Sequence, residues 1–215
     1  MTHSSRKRFH VALLASFAVI LVWSVIRPKE MFTWFLESFP AMIGAVILLA
    51  TYRRFELTTL VYVLIWLHAI ILVVGGHYTY AEVPLGDWVR DTFHLSRNHY
   101  DRVGHFAQGF VPAMIAREFL LRKSPLKRGK LLAYVVVSIC LAISAAYELL
   151  EFGVSVLTGS AGDAFLGTQG DVWDTQKDML MALIGAVTAL LALSRLHDHQ
   201  LARFGGGHGE RRAAG

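Results

Sequence analysis

Three short stretches carry side chains able to bind a cation or move a proton. In Asn98-His99-Tyr100-Asp101-Arg102-Val103-Gly104-His105-Phe106, an aspartate and a histidine stand four apart. In Tyr147-Glu148-Leu149-Leu150-Glu151, two glutamates stand three apart. In Asp171-Val172-Trp173-Asp174-Thr175-Gln176-Lys177-Asp178, aspartate recurs at i, i+3 and i+7. Residues three and four apart share a helix face, so each stretch, if helical, offers a ladder of carboxylate or imidazole atoms. Carboxylates and imidazoles contributed by several helices are the way bundles build di-metal sites. Crowded acids repel one another unless they protonate or are neutralised, and one divalent cation neutralises several at once.

The expected metal ligands are His99, Asp101, His105, Glu148, Glu151, Asp171, Asp174 and Asp178. Of these, Asp101, His105, Glu148, Glu151 and Asp174 are the expected acid/base groups. An oxygen-rich donor set with imidazole and no thiol suits Mg, Mn or Zn without separating them. Such an ion polarises a phosphoryl or carbonyl oxygen, or activates water. The competing reading is structural: Asp101, Glu148, Glu151 and Asp174 pair with Arg97, Arg102 and Lys177. The functional reading is preferred because three local cations are too few to match the acids. Glu37 and His68 are open between site membership and a neutral, hydrogen-bonded place in the core.

The elements that must position these groups read as membrane spans. Of 215 residues, 54% are hydrophobic and 17% charged, with mean hydropathy +0.46; soluble domains run about 25% charged. A crossing helix needs about 20 mostly apolar residues. Six stretches qualify: 9–26, 31–51, 57–74, 103–121, 131–156 and 173–196. None alternates with period two, so a barrel is excluded. The first run lacks a small-x-small cleavage pattern and reads as an anchor, not a signal peptide. The expected division is a cytoplasmic N-terminus 1–8, a six-helix membrane domain 9–196 and a disordered cytoplasmic tail 197–215.

The net charge of +5 is a topology signal. The connections and termini on one side hold 15 of the 21 lysines and arginines, which predicts that both termini are cytoplasmic. No basic face with interleaved aromatics is present on a soluble element, so nucleic acid is not a partner. Twelve of the 16 acids fall on the outer half, where Glu37, His68 and the three ladders also lie. The inner halves of the spans are expected to lack ionisable groups, which disfavours a transport pathway.

In the long third connection, Asp87 is expected to cap a short amphipathic helix carrying Trp88, Val89, Thr92, Phe93 and Leu95, lying in the outer interface. The Gly-rich connection 158–171 is weakly suggestive of anion binding. His94 and Asp163 read as loop residues, and His197, His199 and His208 as solvated tail. Tyrosine and tryptophan near span ends fit an interfacial belt as well as a binding role. The single cysteine, Cys140, reads as packing and excludes an internal disulfide. Neither a Gly-x-Ser-x-Gly elbow nor His-Glu-x-x-His is present.

The three polar stretches, together with Gly167-Thr168-Gln169-Gly170 ahead of Asp171, resemble the YjdF-type bacterial inner-membrane family, a domain-of-unknown-function group, over roughly residues 8–200. A more distant similarity is to VanZ-like membrane proteins. The resemblance implies an integral plasma-membrane protein and supplies no reaction. The expectation is therefore an all-α polytopic bundle of six transmembrane helices with one short outer interfacial helix. Its leading functional reading is a metal-dependent, membrane-embedded enzyme acting at the outer face on an amphipathic or lipid-linked substrate. The alternatives are an ion-coupled transporter and a non-catalytic membrane assembly partner.

Overall fold

The computed structural model describes residues 3–159 and 169–213, with side chains for residues 4–159 and 169–202. The described residues form seven α-helices and no strand. These are α1 (His3–Val25), α2 (Met31–Thr51), α3 (Thr59–Tyr78), α4 (Pro84–Phe93), α5 (Tyr100–Lys123), α6 (Lys130–Thr158) and α7 (Asp174–Ala213), with a 3-10 turn at Tyr80–Glu82. Helix starts follow local chemistry. The Glu30 carboxylate accepts from the Phe32 and Thr33 amides to cap α2. Thr58 caps α3 through the Val61 amide. Pro84 opens α4, its fixed φ suiting the first helical turn. Asp87 is not the expected cap; it lies within α4 and accepts from Arg90 and from the Asn98 side-chain Nδ2.

Five helices are long and apolar enough to cross a membrane: α1, α2, α3, α6 and α7, the last over Asp174–Ala202. The remaining long helix, α5, departs from that pattern because both its ends are charged. Asp101 and Arg102 stand at its start, and Arg117, Glu118, Arg122 and Lys123 at its finish. It tolerates them by occupying the middle of the bundle, packed against α3, α6 and α7. Its contact with α7 is the most extensive between any two elements of the fold. A β-carbon on Gly109 would run into the Ala182 carbonyl, and one on Gly185 into the Phe106 carbonyl. The two glycines let the backbones touch, as small residues do between helices in lipid.

The packing divides in two. Val61, Leu64, Val111, Met114, Leu132, Val136, Cys140, Ala186 and Ala189 form the core shared by α3, α5, α6 and α7, which gives Cys140 the packing role expected of it. Phe17, Ala41, Ala69 and Val73 join α1 and α2 to α3. The helices alternate in direction, so α5 and α7 start, and α6 finishes, at one end of the bundle. We call this the acidic end and the opposite one the basic end.

At the basic end the structure corrects two expectations. His197 is not solvated tail: α7 runs unbroken through 196 into the segment expected to be disordered, and the imidazole is fully buried. Nor is the basic end, expected to be the inner one, without buried ionisable groups. The buried Glu118 carboxylate accepts from the Thr58 amide and hydroxyl, from Arg122 at 2.6 Å and from His197 Nε2 at 3.0 Å. Arg117 lies 2.8 Å from His197 Nδ1. Arginine only donates, so Nδ1 is the acceptor and Nε2–H points at Glu118. The N-terminal segment expected at 1–8 is likewise helical from His3.

Candidate functional site

At the acidic end the three ladders meet. Asp174 and Asp178 lie one turn apart on α7, both buried. Facing them from the start of α5 are Asp101, Arg102 and His105, with Arg97 in the preceding connection. Glu148 and Glu151, also buried, come from the end of α6. The connection into α7 is fixed by an amide exchange. The Asn98 amide donates to Gln169 Oε1 at 3.1 Å, and Gln169 Nε2 donates back to the Asn98 carbonyl at 3.0 Å.

The arginines go deeper into this cluster than the sequence suggested. Arg97 donates to Asp174 Oδ1 at 2.6 Å. Arg102 donates to Asp178 Oδ1, to Asp174 Oδ1 and, at 3.3 Å, to Asp171 Oδ2. Lys177 holds Asp171 from the surface at 2.6 Å, and that hydrogen bond keeps the Asp171 carboxyl below the usual carboxylate range. The expectation that local cations were too few is therefore right only in part. Asp171 and Asp174 are neutralised within the protein, with Asp178 held by a single guanidinium. Glu148 and Glu151 have no arginine or lysine partner among the described residues.

His105 stands where the paired and unpaired groups meet. Its Nε2 lies 3.4 Å from Asp101 Oδ1 and 3.8 Å from Asp178 Oδ1. Its Nδ1 lies 3.1 Å from Gln108 Oε1 and 3.7 Å from Glu148 Oε1. Asp101, His105 and Asp178 can each offer one ligand atom, all within 4.8 Å of one another. Glu148 Oε1 is buried with no hydrogen-bond partner, which is costly unless something else satisfies it. His99 precedes the first turn of α5, half-buried. Burial first, then Arg97, Arg102 and Lys177, hold its imidazole below the usual range, with Asp101 acting in the opposite sense.

Behind His105 lies a cavity of about 210 Å³, room for several waters or a small polar group. Glu37, His68, Tyr80, Asp101, Tyr147 and Glu151 line it, which brings both open residues, Glu37 and His68, to the same place. Tyr147 donates to Glu37 Oε2 at 3.1 Å, while His68 Nε2 is buried without a partner. Tyr80 and Tyr147 therefore are not belt residues. The Tyr80 ring presses against Gly75 and Gly104, and burial, with Glu37 beside it, pushes its phenol well above the usual range. Pro40 and Pro112 also line the cavity. Each leaves the carbonyl four residues earlier without its helical partner.

Sequence reasoning found the ladders and missed the tyrosines, Gln108, Asn98 and Gln169. The short 98–108 stretch contained two of these, Asn98 and Gln108, but only helix partners far along the chain reveal what they face. Residues 160–168, including Asp163 and most of the Gly-rich connection, lie outside the described residues.

A family model described as "Predicted membrane protein (DUF2238)" matches residues 9–199. The chain is 51% identical over 187 residues to the inner membrane protein YjdF of Escherichia coli (strain K12), an alignment covering 87% of this chain and 90% of the relative. No solved structure matches the chain. The relative is an inner-membrane protein, and five helices here are long and apolar enough to cross a bilayer; the protein is a multi-pass protein of the bacterial inner membrane. All three polar stretches fall within the matched region, and the chain belongs to the DUF2238 family of membrane proteins.

Proposed function

We propose that the chain crosses the membrane six times with both termini cytoplasmic, and binds one divalent cation between α5 and α7 near the outer face. In this reading it is an enzyme acting on the polar end of an amphipathic or lipid-linked molecule. The observation that carries it is the convergence of Asp101, His105 and Asp178, whose ligand atoms lie within 4.8 Å of one another, the first two at the wall of a cavity. An ion about 2.1 Å from each ligand needs those atoms roughly 3.0–3.4 Å apart, and the His105–Asp101 distance of 3.4 Å is already there. Glu148, whose Oε1 has no hydrogen-bond partner and lies 3.7 Å from His105 Nδ1, supplies a further ligand or base. In this scheme Arg97, Arg102 and the α7 acids are the frame that holds Asp178 toward His105.

The cavity wall carries no lysine or arginine, so a phosphoryl or carbonyl oxygen entering it relies on the ion for charge compensation. Glu37 with Tyr147, and His68 opposite, are placed to take or give a proton to a substrate hydroxyl or water. The test is metal content after purification in detergent with Mn, Mg or Zn supplied. Wild type and Asp91→Asn, an exposed control, are expected to hold about one ion per chain, with His105→Ala and Asp178→Asn holding almost none. Metal-free wild type, or equal content in all four, overturns the reading.

A second reading is favoured by one observation. The buried Arg117–Glu118–His197 cluster places ionisable groups at the basic end, where an ion-coupled carrier would need them. Proton flux into proteoliposomes that is lost in Glu118→Gln would support the carrier over the enzyme.

A further inference from the structure

A second cavity, of about 230 Å³ and with no lining residue in common with the first, lies between α1, α2 and α3. Its origin is in the packing. Helices α1 and α2 each lie extensively along α3 but scarcely meet one another, and Ser16 on α1 is pinned to α3 by the Trp66 indole N–H at 2.9 Å. Ala41, Ala45 and Ala69 line the space that larger residues would close. The remaining wall is aliphatic or aromatic, with Leu13, Phe17, Leu48 and Ile65. The trough opens sideways between α1 and α2, because Val11, Leu14 and Leu49 line it and are still 56%, 37% and 58% exposed.

Its basic-end mouth is different. Lys7 and His10 form the rim, beside Tyr52 and Tyr62. The His10 ring is engaged by the Tyr52 hydroxyl at 3.1 Å and the Thr59 hydroxyl at 3.4 Å. Lys7, Arg8, Arg53 and Arg54 are exposed at this end, and the acid among them is Glu56, 3.9 Å from His10. An apolar slot that opens to hydrocarbon and ends in several cations fits one kind of occupant. The slot takes an aliphatic chain, and the rim takes a negative charge at headgroup depth.

We propose that the trough between α1 and α2 is a binding site for one acyl chain of an anionic phospholipid, whose phosphate sits against Lys7. Unlike the annular lipid around the bundle, this chain lies inside the packing and completes the α1–α2 contact that the protein leaves open. The site is independent of the metal centre.

The probe is phosphatidylglycerol, added to delipidated protein in detergent, with phosphatidylethanolamine as the zwitterionic comparison. Native mass spectrometry is expected to show one retained phosphatidylglycerol per chain, held at least tenfold better than phosphatidylethanolamine. Ala45→Leu and Ala45→Trp, which fill the slot, should lose it at least tenfold; Lys7→Glu should erase the preference between the two lipids. In the unaltered chain, phosphatidylglycerol with brominated acyl chains should quench the Trp66 part of the fluorescence, taken as the difference from Trp66→Phe, saturating near one lipid per chain. This second readout stands even if the Ala45 variants do not fold. Retention unchanged by both Ala45 variants overturns the proposal, as does Trp66 quenching that rises without saturation or equally with the zwitterionic lipid. So does recovery of a peptide in place of lipid.

Discussion

Taking the guanidinium from Arg102 would leave Asp174 and Asp178 as buried carboxylates sharing less positive charge than they were folded around. Breaking such a pair from one side costs on the order of 3–5 kcal/mol, mostly the desolvation of what remains. Arg102→Gln is therefore expected to lower the melting temperature in detergent markedly, and Asp174→Asn added to it to restore part of the loss. Little change in either variant would mean that water reaches the cluster. These residues also show the reach of the sequence. Asp101 with His105, and Asp174 with Asp178, were legible because four residues make about one helical turn. That Arg102 pairs with them was one of two readings left open, since an arginine beside an aspartate at a helix start reads equally well as a topology charge. The Glu37–Tyr147 hydrogen bond, 110 positions apart along the chain, left no local trace at all.

At the scale of elements, the site depends on how closely α5 and α7 approach. Gly109 and Gly185 let the backbones touch halfway along the bundle, and the ladders at the acidic end inherit that spacing. A methyl group at either position must push the helices apart. Overpacking of this kind costs about 1–3 kcal/mol, so Gly109→Ala and Gly185→Ala should lower the melting temperature, while Gly153→Ala, where nothing lies within 4 Å of the added carbon, should not. The helices themselves were well foreshadowed: apolar runs alone gave α1, α2, α3 and α6, most ends shifted by a few residues. Helix α7 outran its expected end because His197 finds a buried place between Arg117 and Glu118, and the Gly-rich composition that follows it hid this. Exposed Leu85, Trp88 and Phe93 on α4 agree with the amphipathic helix expected there.

For the whole molecule, the charge asymmetry sets the expected arrangement in the bilayer. The basic end carries the start of α1, the finish of α2 and α5, and the start of α6; the acidic end carries the three ladders and α4. If positive charge orients the chain, a fluorescent reporter fused at either terminus should glow in the cytoplasm. Alkaline phosphatase inserted after Thr79, or in the connection before Asn98, should be active outside. Active phosphatase at a terminus would reverse the orientation and move the proposed metal site to the cytoplasmic face. The sequence carried this global signal clearly because it is a sum over many residues, insensitive to where any one of them points. The polar cavity is the opposite case, made by two prolines, two tyrosines and four helices at once.

The coordination of an ion by His105 is what the functional account stands on. Pulsed electron paramagnetic resonance of the manganese-loaded protein, with histidine nitrogens labelled by the heavier isotope, reads it directly. One imidazole nitrogen coupled to the metal, lost in His105→Ala and kept in His99→Ala, is the expected result. A spectrum showing manganese surrounded only by water and carboxylate oxygens, and unchanged in His105→Ala, would contradict the account.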